Sequence, residues 1–471
     1  MSEIRANHAQ VWMFPPCLED WLPADHPARF VRELVDSLPL ARMGFKVRTS
    51  EEGRPSYAVD LLLKVWLYGY LERIRSTRQL ERACRQNVAL MWLTGVHYPD
   101  HNTLWRFWRD NRRALKEVFR RTVQMAADLG LVGMVLHAVD GTKIGARAST
   151  HKAWGRKRYE KLLGELDARI EQAMAEVEQA EGSEAGEYRL PAELADTMKL
   201  REKIRGRLAR LQAEGREHMN PAEPEAPMMK SGEGTRLAYN AQVVVDGAGG
   251  IIVAPEVTTA ANDVSQLVPM LDKVKEELGQ VAEETVADAG YFSGKQLAAA
   301  EEAGYEVVVH LQGTSAGEQA KDAYHAAHFV YDEANDCLRC PRGGVLEFEG
   351  TQYRNDRDYR TRRYRCQDFA DCPVRWQCSR QQQGRTVKVS AHAAAIERQR
   401  QKQKDPAKAA LLKRRMGIVE PVFARIKHLL GFRRWTVGGL EKVRQQWYWV
   451  CALANLMKLY PLWREGKFRL A

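Results

Sequence analysis

Leu131-Val132-Gly133-Met134-Val135-Leu136-His137-Ala138-Val139-Asp140-Gly141-Thr142 is the stretch from which the fold is read. It reads as a buried strand that ends in one carboxylate, Asp140, and turns at Gly141. An acid at the end of an apolar strand either binds a metal or serves as a catalytic acid, or it caps the turn through its own backbone. Lys143, Arg147, His151 and Lys152 follow, so the acid stands in a positive neighbourhood suited to phosphates.

Downstream, Arg236 to Asp246 and Ile251 to Val257 flank Gly247-Ala248-Gly249-Gly250 and read as a β-hairpin. Asn262-Asp263-Val264-Ser265-Gln266 is expected to start a helix running to about Leu278. Glu284-Thr285-Val286-Ala287-Asp288-Ala289-Gly290 then repeats the opening pattern, a short strand ending in an acid, Asp288. A helix over 294–303 and a strand over 305–310 complete an α/β run with a mixed sheet. Near the C-terminus, Arg414-Arg415-Met416-Gly417-Ile418-Val419-Glu420-Pro421-Val422-Phe423-Ala424-Arg425-Ile426-Lys427 reads as a helix with one carboxylate, Glu420, among cations. Lys427 lies two helical turns on and on the same face. Alone, Glu420 could be an ion-pair member on a solvated surface.

The chain has 471 residues and a formal charge of +11, with a pI of about 9.2. The length suggests about two or three domains, and the charge points to a polyanion, nucleic acid before an anionic membrane surface. No apolar run approaches the roughly 20 residues that span a bilayer. The first residues lack the apolar core of a signal peptide, so a cytoplasmic protein is expected, with its eight cysteines reduced or bound to metal.

Residues 1–132 read as a helical DNA-binding domain. Tyr57 to Leu71 is a buried helix, Ser76 caps a helix with Glu81 completing a capping box, and a long helix carries Arg106, Arg109, Arg112 and Arg113. Short helices with tight turns and an arginine-lined helix fit a helix-turn-helix-like module, or a helical domain whose arginines only solvate its exterior. The mixed-sheet core is assembled from 133–154, 228–314 and 405–471. Between its pieces, 155–227 has a heptad-like period (Leu163, Leu166, Ile170, Ala173, Val177, Ala180, then Leu200, Ile204, Leu208, Leu211) and reads as a helical hairpin. The basic segment 315–404 holds Cys337, Cys340, Cys366, Cys372 and Cys378. Cys337, Cys340, Cys372 and Cys378 resemble a zinc ribbon with Cys366 spare; reduced cysteines in a loop-rich insertion are the alternative.

Taken together, three acids in a basic protein suit a pair of divalent ions acting on a phosphodiester. The motifs around them resemble bacterial DDE-type insertion-sequence transposases with an RNase H-like catalytic core. The matching stretches are Ala138-Val139-Asp140-Gly141-Thr142-Lys143-Ile144, Tyr239-Asn240-Ala241-Gln242, Ala287-Asp288-Ala289-Gly290-Tyr291-Phe292-Ser293, Val419-Glu420-Pro421-Val422-Phe423 with Ile426-Lys427, Gly431-Phe432-Arg433-Arg434, and Ala454 to Leu459. They occur in the family's order and cover nearly the whole chain. The resemblance implies Asp140, Asp288 and Glu420 as ligands of two Mg²⁺ or Mn²⁺ ions. It implies hydrolysis at a transposon end, with strand transfer of the freed 3′-OH into target DNA by a homodimer on double-stranded DNA at the bacterial nucleoid. Lys427, Arg415, Arg425, Lys143, Arg106 and Arg109 are the expected DNA contacts. Related transposases often carry a Tyr and an Arg seven and four residues before the Glu; here Lys413 and Met416 stand there, so the arginine role falls to Arg415. An RNase H-like nuclease without strand transfer, or an inactive DNA-binding regulator, are the alternatives.

Overall fold

The computed structural model describes residues 17–46, 56–181, 192–232, 234–311, 323–354 and 359–470. The chain is mixed α/β and divides into two compact units. One comprises residues up to Ala126 with Arg425–Phe432 and Tyr448–Ala471; the other comprises Ala127–Ala424 with Arg433–Trp447.

The first unit is helical: α1 (Pro27–Asp36), α2 (Val59–Leu71), α3 (Thr77–Gln86), α4 (Val88–Thr94), α5 (His101–Asp110) and α6 (Arg112–Asp128). Local chemistry sets most of the boundaries. Pro27 opens α1 where its missing N–H is no loss, Asn87 caps α4 by accepting from the Leu90 N–H, and Gly95 ends α4 in the left-handed region. Asp100 caps α5 through the Thr103 N–H at 2.7 Å. Helix α2 is buried from Leu62 to Tyr70, and Trp66, Tyr70, Trp108 and Trp449 form an aromatic cluster beside it.

Two sequence expectations fail here. The arginine-lined helix is two helices, because the Asn111 amide donates to the Phe107 carbonyl and accepts the Lys46 N–H. Such side-chain bonds compete with helix continuation. Ser76 makes no side-chain cap, and Glu81 bonds His101 instead of closing a capping box.

The second unit is built on a six-stranded mixed sheet. Its strands are β1 (Leu136–Gly145), β4 (Met228–Ser231), β5 (Gly234–Asp246), β6 (Ile251–Thr258), β7 (Glu284–Ala287) and β8 (Val307–Val309), with β2 (Trp154–Gly155) and β3 (His218–Met219) forming a separate pair. The order is β4-β5-β1-β7-β8, with β6 also on β5. Pairing of β1 with β5 and of β5 with β6 is antiparallel, and β1-β7 and β7-β8 are parallel. The parallel connections run through α9 (Leu267–Leu278) and α10 (Gly294–Glu302).

The heptad stretch forms α7 (Arg156–Glu181) and α8 (Ala192–Ala213). They pack antiparallel, with Arg201 on Asp167 and Tyr159, Leu166, Ile204 and Leu211 in one core. Leu200 is exposed, and the side chains of Val177 and Ala180 lie outside the described residues.

The cysteine-rich segment is an antiparallel five-stranded sheet of β9 (Val330–Asp332), β10 (Cys337–Arg339), β11 (Val345–Arg354), β12 (Tyr359–Cys366) and β13 (Thr386–Ser390), with a short helix α11 (Arg375–Cys378). Helices α12 (Ala393–Lys404), α13 (Pro406–Ala424) and α14 (Leu440–Arg464) follow.

The first stretch differs from its sequence reading. Strand β1 does not stop at Asp140; it stays paired with β5 as far as Gly145 opposite Ala238. What ends beside Asp140 is the parallel partner β7, whose last pair is Val139 with Ala287.

Asp246, at the end of β5, closes the other end of this sheet. It is 1 % exposed and accepts from the backbone N–H groups of Gly133, Met134 and Ala248 at 3.1, 2.9 and 2.9 Å, with His137 Nε2 3.4 Å away. These bonds hold Met134 at a φ of 55°, a conformation uncommon for a side-chain-bearing residue. Burial pushes its pKa up, but His137 and the three N–H groups outweigh that and hold it below the usual carboxylate value. A depressed folded-state pKa stabilises above the unfolded value of about 3.9, and that stability is lost as pH falls through the folded one. Asp246→Asn is therefore expected to cost about 2–3 kcal/mol at pH 7 in urea unfolding. The gap from wild type should narrow below about pH 4; a gap that is flat from pH 7 to 3 would rule out the charge as its source.

Candidate active site

Register brings the first two acids together. Asp140 and Asp288 each follow the last β1–β7 pair by one residue, on parallel strands that run about 4.8 Å apart. Asp140 accepts the Gly141 N–H at 2.7 Å, and Asp288 accepts the Gly290 N–H at 2.8 Å, capping a 3₁₀ turn over Ala289–Tyr291. Each acid thus caps local backbone through Oδ1.

Helix α13 lies against β1, β7, β5 and β8. It buries Ile418, Val419 and Val422 and sets the Arg415 guanidinium on Asp140, Nη1 to Oδ2 at 2.9 Å. Burial pushes the Asp140 pKa up to about 6, with Arg415 and the Gly141 N–H opposing and the neighbouring Asp288 adding to the rise. Glu420 is exposed on the same helix and has no hydrogen bond or ion pair among the described residues.

A polar network backs these acids. Asp263 Oδ1 accepts from Asn240 Nδ2 at 2.7 Å and Gln242 Nε2 at 2.6 Å. The Tyr291 hydroxyl donates to Gln242 Oε1. Tyr291 is fully buried, and burial followed by Asp263, Asp140 and Asp288 pushes its pKa well above the ordinary value, so it stays a donor. The two glycines after the acids make room for this network. A Cβ on Gly141 would collide with Gln242 Nε2, and one on Gly290 would stand 2.9 Å from Asp288 Oδ1.

Sequence reasoning missed Asp263 because Asn262 to Gln266 looks like a helix start. The helix begins at Leu267 with Gln266 at its cap, and Asp263 is released to the sheet. The Tyr239-Asn240-Ala241-Gln242 motif was the available signal, since polar side chains on a strand that is otherwise buried need partners.

The expected DNA contacts fare unevenly. Arg415 faces Asp140. Arg425 is a correction: it opens the π-helical turn Arg425–Leu429, is 8 % exposed and donates to the Ala454 carbonyl, with burial lowering its pKa, so it is withdrawn from solvent. Lys427 lies half-buried in the same turn, and Lys143 is half-buried on β1 opposite Asn240. On α5, Asn102, Trp105, Arg106 and Arg109 form one exposed stripe at helical spacing, with Arg109 over the Trp105 ring and paired to Asp110.

The cysteines of this segment are free thiols. Cys337 is buried on β10, whereas the thiols whose charge acts on Cys366 are Cys340 and Cys372. Cys340, Cys366 and Cys378 pack against one apolar core. Among the described residues no three His, Cys, Asp or Glu side chains are close enough together to hold an ion.

Comparison with known families assigns the chain. Residues 16–110 match a transposase domain (DUF772), and residues 339–460, which include strands β11 to β13 of the cysteine-rich sheet and the Glu420 helix, match a transposase DDE domain. Both matches are to transposase families and support an insertion-sequence DDE transposase. No curated protein and no solved structure matches it. The transposase is thus an enzyme of DNA transposition that binds DNA, and its family uses divalent metal, typically Mg²⁺. No helix among the described residues is long and apolar enough to cross a membrane.

A carboxylate whose pKa is raised on folding takes up a proton as the chain folds, so the ionised form costs stability above the folded value. Without divalent cations, Asp140→Asn should therefore melt higher than the wild-type transposase at pH 7.5, by about 1–3 kcal/mol. The advantage should shrink toward pH 4 in calorimetry. Equal melting of the two proteins at pH 7.5 would contradict the burial cost.

Proposed function

We propose that Asp140, Asp288 and Glu420 are the three acids of an RNase H-like core that cuts a transposon end and joins it to target DNA. The observation that carries this reading is the β1–β7 register, which sets two distant acids side by side under the helix that bears the third. The donor set suits a hard cation, because the network around the acids offers carboxylate and amide oxygens. Mg²⁺ or Mn²⁺ held by Asp140, Asp288 and Glu420 would neutralise charge on the phosphate through the displacement.

The chain's own residues do the rest. Asp140 and Asp288 are fixed by their turns, and Glu420 is carried on α13, the helix packed against β1 and β7. Arg415 balances the charge of Asp140. In the first reaction water attacks phosphorus, the P–O3′ bond breaks, and the leaving oxygen takes a proton to become a 3′-OH. In the second, that hydroxyl attacks a target phosphorus, gives up its proton, and displaces a target 3′ oxygen. Arg106 and the exposed stripe of α5 in the helical unit, with Lys427 and Lys143, bind the DNA phosphates.

Asp288→Asn and Glu420→Gln are each expected to slow divalent-dependent cleavage on the order of 10³-fold, with DNA affinity in gel shift changed less than about threefold. A Glu420→Gln protein cutting at the wild-type rate would remove that residue from the site. Recovery of joined product from target plasmid separates transposition from nuclease action alone.

A further inference from the structure

The structure assigns Asp263 a role as a positioning residue that locks the gap between Asp140 and Asp288 by hydrogen bonds through Gln242 and Tyr291. This inference rests on those two acids being the ones that act. The network spans the elements that carry them. Gln242 sits opposite Gly141 on the strand paired with β1, one residue from Asp140. Tyr291 closes the 3₁₀ turn that Asp288 caps. The Gln242 amide is held at both ends, its Nε2 by Asp263 and its Oε1 by the Tyr291 hydroxyl. Side chains alternate along β1 and β5, so Gln242 shares a face with the position of Gly141, and Asp140 projects to the other. Asp263 therefore backs the acids from behind the strand.

Asp263 is half-buried, and the side chains it holds are buried. Gln242 and Tyr291 are 0 % exposed and Asn240 is 1 %. Inside such an environment an amide with both ends paired has one orientation, and an unpaired one is costly. The Asp263 carboxylate also lies against both glycine positions, with Oδ1 3.0 Å from where a Gly141 Cβ would stand and Oδ2 3.7 Å from a Gly290 Cβ. One carboxylate thus touches the turn of each acid. Oδ1 acts here as an acceptor of two N–H groups, a task that an amide oxygen can also perform.

That last point makes the role testable. The assay is Mn²⁺-dependent nicking of a supercoiled plasmid carrying the DNA that flanks the gene, with Mn²⁺ binding followed separately by electron paramagnetic resonance. Asp263→Ala and Tyr291→Phe should each lower the maximal rate about 10–100-fold, with half-saturating plasmid unchanged. The double variant should be no slower than the worse single, because both remove one clamp. Asp263→Asn, which keeps the acceptor and drops the charge, should recover most of the rate lost in Asp263→Ala and bind Mn²⁺ like wild type. The proposal is overturned if Asp263→Asn is as slow as Asp263→Ala and loses Mn²⁺, which would make Asp263 a cation ligand. It is equally overturned if Asp263→Ala and Tyr291→Phe multiply their effects or have none. Wild-type protein that binds Mn²⁺ but never nicks would instead bring down the functional reading, and this one with it.

Discussion

The parallel pairing of β1 with β7 is the constraint on which the acid site depends. Four residue pairs, Leu136 with Glu284 through Val139 with Ala287, set the positions of two carboxylates far apart in the chain. The hydrogen bonds are backbone bonds in a buried sheet, so the register is enforced by which face of β1 is apolar. A slip by one residue would turn His137 and Val139 together to the other face and strand Asp140 on the wrong side. Asp246 guards that register from the other end of β5 by tying down Gly133 and Met134 just before β1 begins.

Around this fixed pair the structure accepts electrostatic cost. Asp140 is largely buried with one guanidinium on it and another carboxylate beside it. Asp263 adds a third negative group behind the strand, and the Tyr291 hydroxyl stays protonated in their midst. Proteins retain such arrangements where activity needs them and recover the stability elsewhere. Here the recovery is visible in the Asp246 cluster and in the aromatic core of the helical unit.

Much of this was legible in the sequence. The strand before Asp288, the Gly-rich hairpin and the helical hairpin of α7 and α8 are local patterns, and each formed where the sequence placed it. What was not legible depended on partners distant in the chain. Nothing local told that β1 runs on past Asp140, because the residue that continues the pairing, Ala238, lies across the sheet. Arg425 looked solvent-facing because a regular helix was assumed; the π-helical turn changes the phase by which its side chain is aimed. Asn111 and Asp263 misled for one reason: a short polar side chain reads as a cap or turn residue until its tertiary partner is known. In the acid site, Asp140 and Asp288 were found from their strands, while Asn240 and Gln242 were seen as a motif without a task.

The order of the chain gives the Arg415–Asp140 ion pair a history as well as a geometry. Asp140 and Arg415 are 415 − 140 = 275 residues apart. At about 5–20 residues per second, the ribosome delivers the guanidinium roughly 14–55 s after the acid. The strands β1, β5 and β7 can pair long before then, leaving two neighbouring carboxylates facing an empty helix position. In the finished chain that position is filled by Arg415 of α13. Synthesis thus leaves the reactive end of the sheet to close among the last parts of its unit.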